Sequence, residues 1–271
     1  MLEMARRLAF PLSIALVWMP SFAAAESAPP CSAPSDLNRF EQPLTRLSQR
    51  VMAGQPITIV AIGSSSTAGA GASSSAASYP SRLEVELKER FSAATIRVLN
   101  RGINGEEAAD MLARFDKAVL AEKPDLVLWQ VGTNSVLRDG SLEDAAILVR
   151  QGLERLKASG ADVVLIDPQF APKVIAKSEA ESMVSLIGVA AKAVNAQLFH
   201  RFAVMRHWRQ HDQIAFEKFL SPDGLHMNDW SYGCIAKLLA ASISEAAMRS
   251  TAVAGAVPAS AGQARASQPA R

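Results

Sequence analysis

Short apolar runs rich in β-branched residues recur along the chain at 57–62, 96–99, 125–131 and 163–166, and 197–200 reads as a short fifth strand. Runs that are apolar at nearly every position are strands buried on both faces of a parallel sheet. Between them the period changes to that of a helix. Leu83, Val85, Leu87 and Phe91 with interleaved charges predict an amphipathic helix over 79–91. Further helices are predicted over 106–122, 142–158, 178–195 and 229–248, with a short helix or turn over 204–210. Gly160 falls near the C-terminal cap position of helix 142–158. Ahead of the first strand, Leu37, Phe40, Leu44, Leu47 and Val51 have helical spacing, interrupted at Pro43, and predict a segment docked on the outside of the domain. Strands alternating with helices of crossover length give an α/β fold: a doubly wound parallel five-stranded sheet with helices on both faces.

The ends of the strands are polar and turn-forming. Gly63-Ser64-Ser65-Ser66-Thr67 follows the first, Asn100 to Gly105 the second, Gly132-Thr133-Asn134 the third and Asp167-Pro168-Gln169-Phe170 the fourth. A loop from Ser221 to His226 precedes the last helix. Residues 68–78, nearly all Gly, Ala and Ser, read as a loop beside these ends. In open α/β sheets the carboxyl ends of the strands share one edge, and ligands sit there. With strand order 2-1-3-4-5, Ser65, Gly105 and Asn134 come from three neighbouring loops. The first cluster taken alone is equally a plain polar loop, since Ser and Gly are ordinary loop residues.

The two ends of the chain change the picture of its extent. Arg6 and Arg7, the apolar stretch 8–22 broken by Pro11 and Pro20, and Ala23-Ala24-Ala25 have the outline of a secretory signal peptide over 1–25. The stretch is too short for a comfortable membrane span, so no span is expected in the mature chain and a secreted or periplasmic location is. Residues 26–35 read as a flexible leader, 36–248 as one domain, and 249–271 as a disordered tail of Ala, Ser, Gly, Pro and Gln. The chain has two cysteines, Cys31 and Cys234. In an oxidising compartment such a pair invites a disulfide tying the mature N-terminus to the final helix; the alternative is two unpaired thiols. A formal net charge of +2 implies no strong field and gives no reason to expect nucleic acid as a partner.

The strand ends carry the inventory of acyl transfer. A serine attacks a carbonyl once a histidine takes its proton, an acid orients that histidine, and fixed donors stabilise the oxyanion. Gly63-Ser64-Ser65-Ser66-Thr67-Ala68-Gly69, Asn100 to Gly105, Gly132-Thr133-Asn134 and Asp223-Gly224-Leu225-His226 resemble, in order and spacing, the four blocks of SGNH (GDSL-type) hydrolases. The resemblance implies a flavodoxin-like fold and a serine esterase. It makes Ser65 the nucleophile and, through its backbone N–H, the first oxyanion donor, with Gly105 the second and Asn134 the third. His226 is the base and Asp223 its orienting acid. The family often has Asp after the first glycine where this chain has Ser64; Ser64 and Ser66 are the neighbouring alternatives to Ser65.

On this reading the substrate is an acyl ester, with short acyl groups such as O-acetyl on glycans expected from the compartment and from the family's habit. An O-acyltransferase using the same acyl-enzyme and a catalytically idle glycan-binding module are the alternatives. No cofactor and no metal are expected. His200, His207 and His211 rival His226, and His207 with His211, four apart, could share a helix face as metal ligands do, but no further ligand is apparent. Neither a Walker A lysine nor G-x-G-x-x-G is present. Trp129, Phe170, Met227 and Trp230 lie near the strand ends in sequence as candidate pocket walls, with Trp129 favoured as core.

Overall fold

The computed structural model describes residues 28–255. The expected signal peptide and residues 256–271 of the expected tail lie outside the described residues. Five strands, β1 (Ile57–Gly63), β2 (Ile96–Gly102), β3 (Leu126–Gln130), β4 (Asp162–Ile166) and β5 (Gln197–Phe199), form one sheet in the order β2-β1-β3-β4-β5. All pairs are parallel. Every residue of β3 is buried, and so is every residue of β1 except Thr58, as runs without alternation require.

The helices of eight residues or more are α1 (Thr45–Met52), α2 (Tyr79–Arg90), α3 (Leu142–Ala158), α4 (Ala180–Ala193), α5 (Arg201–Gln210) and α6 (Asp229–Gly255). Right-handed crossovers send the β1–β2 connection to one face and the later connections to the other. Accordingly α6 packs on α1 and α2, while α3 packs on α4 and on the short helix Ala108–Ala113. The order places β1 between β2 and β3, so the first three polar strand ends are neighbours. α1 docks at the opposite, amino edge. There the buried Asp125 takes a hydrogen bond from Arg46 Nε (3.0 Å) and an ion pair with Arg50, and Asp162 accepts the Leu47 N–H (2.9 Å).

Two expectations are corrected. The helix expected over 106–122 is broken into Ala108–Ala113, Phe115–Ala118 and a 3-10 turn Leu120–Glu122. Arg114 leaves helical geometry because its guanidinium reaches back to the Glu106 carboxylate (2.8 Å) and the Arg101 carbonyl (2.7 Å). Phe115 then turns into the core, edge-on to Trp129 at 5.2 Å between centroids. The tail expected to be disordered from Arg249 instead continues α6 to Gly255. The Arg249 guanidinium donates to the Phe40 carbonyl (2.6 Å) and pairs with Glu245 (2.9 Å).

The leader is tied down from residue 28 onward. Trp230 Nε1 donates to the Pro29 carbonyl (3.0 Å) and Trp208 Nε1 to that of Ser32 (2.8 Å). Cys31 and Cys234 form a disulfide across a sequence separation of 203. Long loops lose most chain entropy on cross-linking, with typical native bridges contributing about 2–5 kcal/mol. Cys31→Ala is therefore expected to lower the thermal midpoint by an amount that reduction of the wild type reproduces. Equal midpoints for the variant and the oxidised wild type would refute the bridge.

Candidate active site

β1 runs into a one-turn helix, Ser65–Ala68, at the carboxyl edge of the sheet. The turn lies so close to the end of β2 that a Cβ at Gly102 would stand 2.1 Å from the Ala68 nitrogen; only glycine fits. Asn100 supports it from β2, donating to the Thr67 carbonyl (2.8 Å) while its own oxygen accepts the Gly102 N–H (2.9 Å). Of the three consecutive serines, two point inward. Ser64 gives both its N–H (2.9 Å) and its hydroxyl (3.0 Å) to Gln130 Oε1, and Ser66 is buried with its hydroxyl 3.4 Å from Gln169 Oε1. The Ser65 hydroxyl lies 2.8 Å from His226 Nε2, a contact between residues 161 apart in sequence.

The loop that brings His226 there is closed by an antiparallel bridge between Leu220 and Met227 and by Ser221 N–H on the His226 carbonyl (2.8 Å). Inside it, Asp223 Oδ2 lies 2.5 Å from His226 Nδ1, and Oδ1 accepts from Ser221 Oγ (2.8 Å) and the N–H groups of Leu225 and His226 (2.9 Å each). Partial burial pushes this carboxyl up, but the hydrogen bonds from His226, Leu225 and Ser221 outweigh it and hold Asp223 well below the usual carboxylate range. An acceptor at Nδ1 fixes the proton of a neutral imidazole on that nitrogen and leaves the Nε2 lone pair facing the Ser65 hydroxyl.

The β2 and β3 loops are joined beside this chain. Asn134, in the short helix Thr133–Leu137, donates through Nδ2 to the Glu106 carbonyl (2.8 Å). Arg138 donates to the Gly105 carbonyl (2.9 Å) and pairs with Glu107 (2.5 Å). Gly105 has φ +80°, the left-handed region that favours glycine. Among the described residues, neither the Ser65 nor the Gly105 N–H has a backbone acceptor. All five expected site residues thus lie on the three adjoining strand ends and the His226 loop.

Sequence reasoning missed two buried glutamines, Gln130 and Gln169, which hold the inward serines. It also missed Asp167 and Arg201, both fully buried. Arg201 Nε donates to the Asp167 carbonyl (2.9 Å), and Asp167 Oδ1 accepts the Phe202 N–H (2.8 Å). A charged residue at a helix start reads as surface, so only the turn residues around Asp167 gave a signal. Burial pushes Asp167 up to about 7, against the opposing hydrogen bond from Phe202 and the charge of Arg201. The native state then keeps this proton up to about pH 7, while the unfolded chain releases it near 3.9. Between those values the unfolded state binds fewer protons, so this group lowers stability as pH rises. Asp167→Asn is expected to flatten that slope when thermal unfolding is followed from pH 4 to 8; an unchanged slope would place the titration elsewhere.

Of the candidate pocket walls, Trp129, Phe170 and Met227 are buried, and Trp230 packs edge-on against Trp208. The rival histidines lie elsewhere. His200 precedes α5 and is pushed down by burial. His207 and His211 stack at 4.3 Å, and Asp212 joins them with Oδ1 at 3.3 and 3.0 Å from their ring nitrogens. One ring nitrogen from each histidine and one Asp212 oxygen, all within 4.8 Å of one another, are a possible ligand set, but each ring nitrogen facing Asp212 is already in hydrogen-bonding range of it.

A doubly wound sheet with a serine, histidine and aspartate hydrogen-bonded in series on its carboxyl edge has the layout of a serine hydrolase. The chain belongs to the Non-GDSL lipase-like family, whose sequence pattern matches residues 30–249. An acetylxylan esterase of Geobacillus stearothermophilus is 45% identical over 47 residues, 17% of this chain and 22% of that protein's length. Solved structures share the fold. A two-domain esterase active on acetylated mannans, co-crystallised with mannopentaose, superposes with a TM-score of 0.67 at 20% identity, over 79% of this chain and 57% of that one. The Geobacillus stearothermophilus acetylxylan esterase Axe2 gives 0.59 at 19%, over 69% and 94%. TesA gives 0.60 at 21%, over 70% and 99%. The matches thus span less than a quarter of the first relative and just over half of the two-domain esterase.

Proposed function

We propose that this protein is an esterase of the SGNH (GDSL-type) kind, acting on short acyl esters, foremost O-acetyl groups on glycans. The observation that carries the reading is the continuous chain from the Ser65 hydroxyl through His226 to Asp223. In this mechanism Ser65 Oγ attacks the ester carbonyl as its proton passes to His226 Nε2. The imidazolium so formed faces the Asp223 carboxylate and gives the proton to the departing alcohol. Water repeats the sequence on the acyl-enzyme and releases the acid. The N–H groups of Ser65 and Gly105 and the free amide hydrogen of Asn134 are the proposed oxyanion donors.

The glycan part of the proposal draws on the relatives, which include esterases acting on acetylated xylan and mannan. Export is supported by the Cys31–Cys234 bond, since disulfides persist in oxidising compartments. Among the described residues no helix is long and apolar enough to cross a membrane. The test is a chain-length series of nitrophenyl esters alongside acetylated xylo- and manno-oligosaccharides. Turnover falling steeply beyond acetyl, with acetate released from the oligosaccharides, is the expected result. A preference for long acyl chains would overturn the substrate assignment.

A further inference from the structure

The family resemblance gives roles to the ends of β1, β2 and β3 and to the last loop, and none to the end of β4. That end carries Gln169, which is buried to 1% exposure. Its Oε1 accepts from three donors: Ser66 Oγ (3.4 Å), Thr133 Oγ1 (3.0 Å) and Arg201 through a terminal guanidinium nitrogen (3.0 Å). Its Nε2 donates to the Leu225 carbonyl (3.3 Å). Each of three partners adjoins a proposed active-site residue in sequence: Ser66 follows Ser65, Thr133 precedes Asn134, and Leu225 precedes His226. The fourth, Arg201, is fully buried and is itself held on the Asp167 carbonyl. Three donors on one side and a carbonyl on the other fix which way the amide faces.

We propose that Gln169 is a positioning residue that holds the Ser65 turn, the Asn134 loop and the His226 loop in one mutual geometry. Nothing else among the hydrogen bonds described above touches all three. The inference rests on the esterase reading. Its physical basis is that a reacting geometry tolerates little displacement: a misplacement of about 1 Å can cost on the order of 100-fold in rate. The side chain acts from beneath the site and contacts no reacting atom, so its loss is expected to alter turnover and not substrate affinity.

The test compares Gln169→Glu and Gln169→Met with wild type. Glutamate keeps an acceptor for Ser66, Thr133 and Arg201 but has no N–H for the Leu225 carbonyl. Methionine keeps the volume and removes every polar contact. The readouts are the rate of Ser65 labelling by a small fluorophosphonate per folded molecule, kcat, KM and thermal unfolding. Labelling and kcat are expected to fall about tenfold for Gln169→Glu and about 100-fold for Gln169→Met, with KM within about twofold of wild type. Gln169→Glu keeps a partner for Arg201 but sets an oxygen against the Leu225 carbonyl in a buried site, so it is expected to melt below wild type, and the rates are therefore compared per folded molecule. Labelling rates within twofold of wild type in the folded variants overturn the inference. Should neither variant fold, Thr133→Val removes one donor without unpairing Arg201, and an unchanged labelling rate there overturns it equally. Wild type that takes no label at all overturns the esterase reading and this inference together.

Discussion

Ser65→Ala is expected to lower kcat by a factor on the order of 10⁶ and to abolish fluorophosphonate labelling, with the thermal midpoint near that of wild type. The size follows from the role: nucleophile and base act as a unit, and removal of either leaves only binding and oxyanion stabilisation. The small effect on stability follows from the contacts, since among the described residues the side-chain partner of the Ser65 hydroxyl is His226. The same logic makes His226→Ala nearly as damaging alone and almost without further effect in a Ser65→Ala background. Ser64→Ala and Ser66→Ala supply the contrast. Their hydroxyls are buried on Gln130 and Gln169, so both variants should still label at position 65. A label mapped to Ser64 or Ser66 in wild type would remove Ser65 from its role.

What the sequence disclosed depended on the range of the forces involved. Local period was enough for helix α3, whose bounds match the expected 142–158, and for the buried strands, where burial on both faces leaves no alternation to misread. The strand order is not a matter of local period: it entered as a condition, with the flavodoxin-like fold that the resemblance implies, and the sheet has it. The helix expected over 106–122 failed because its fate is decided by tertiary contacts that local pattern does not carry: the Arg114 guanidinium on Glu106 and the Arg101 carbonyl, and Phe115 against Trp129. The same holds at the site. Resemblance singled out Ser65, Asp223 and His226 as the proposed triad, and these three side chains are hydrogen-bonded in series. Gln130, Gln169 and Arg201 were not legible in the sequence, because a buried amide or guanidinium is recognised by its partners and these come from distant segments. Ser64, where the resembled family often has Asp, is explained only once Gln130 is seen to take both its donors.

The second large effect is expected at Asn134. One amide hydrogen holds the Glu106 carbonyl, and the proposal gives the other to the oxyanion. A donor whose acceptor gains charge only in the transition state acts on kcat and not on KM. Removing such a donor typically costs about 10²–10³ in kcat. Asn134→Ala should therefore lower kcat by that order with KM nearly unchanged. The lost bond to Glu106 is a separate contribution, about 1 kcal/mol for an ordinary hydrogen bond, and appears in the unfolding curve. A purely structural asparagine predicts only that second part, with turnover falling in step with the folded fraction. Measuring kcat, KM and unfolding on one preparation separates the two, and unchanged turnover per folded molecule would exclude Asn134 from the oxyanion site.

The bond between Cys31 and Cys234 turns the domain into a covalent ring with two tails, and Ser65 and His226 both lie within the ring. A protease that cuts the exposed stretch 73–76, between those two residues, opens the ring without dividing the molecule. The two pieces stay linked, so each sees the other at a high effective concentration that does not fall on dilution. Nicked molecules can then keep the sheet and the active edge assembled, and the cut shows as two fragments only after reduction. On the proposal that the protein is exported, one bond would give tolerance of backbone cleavage over the 203 residues it spans.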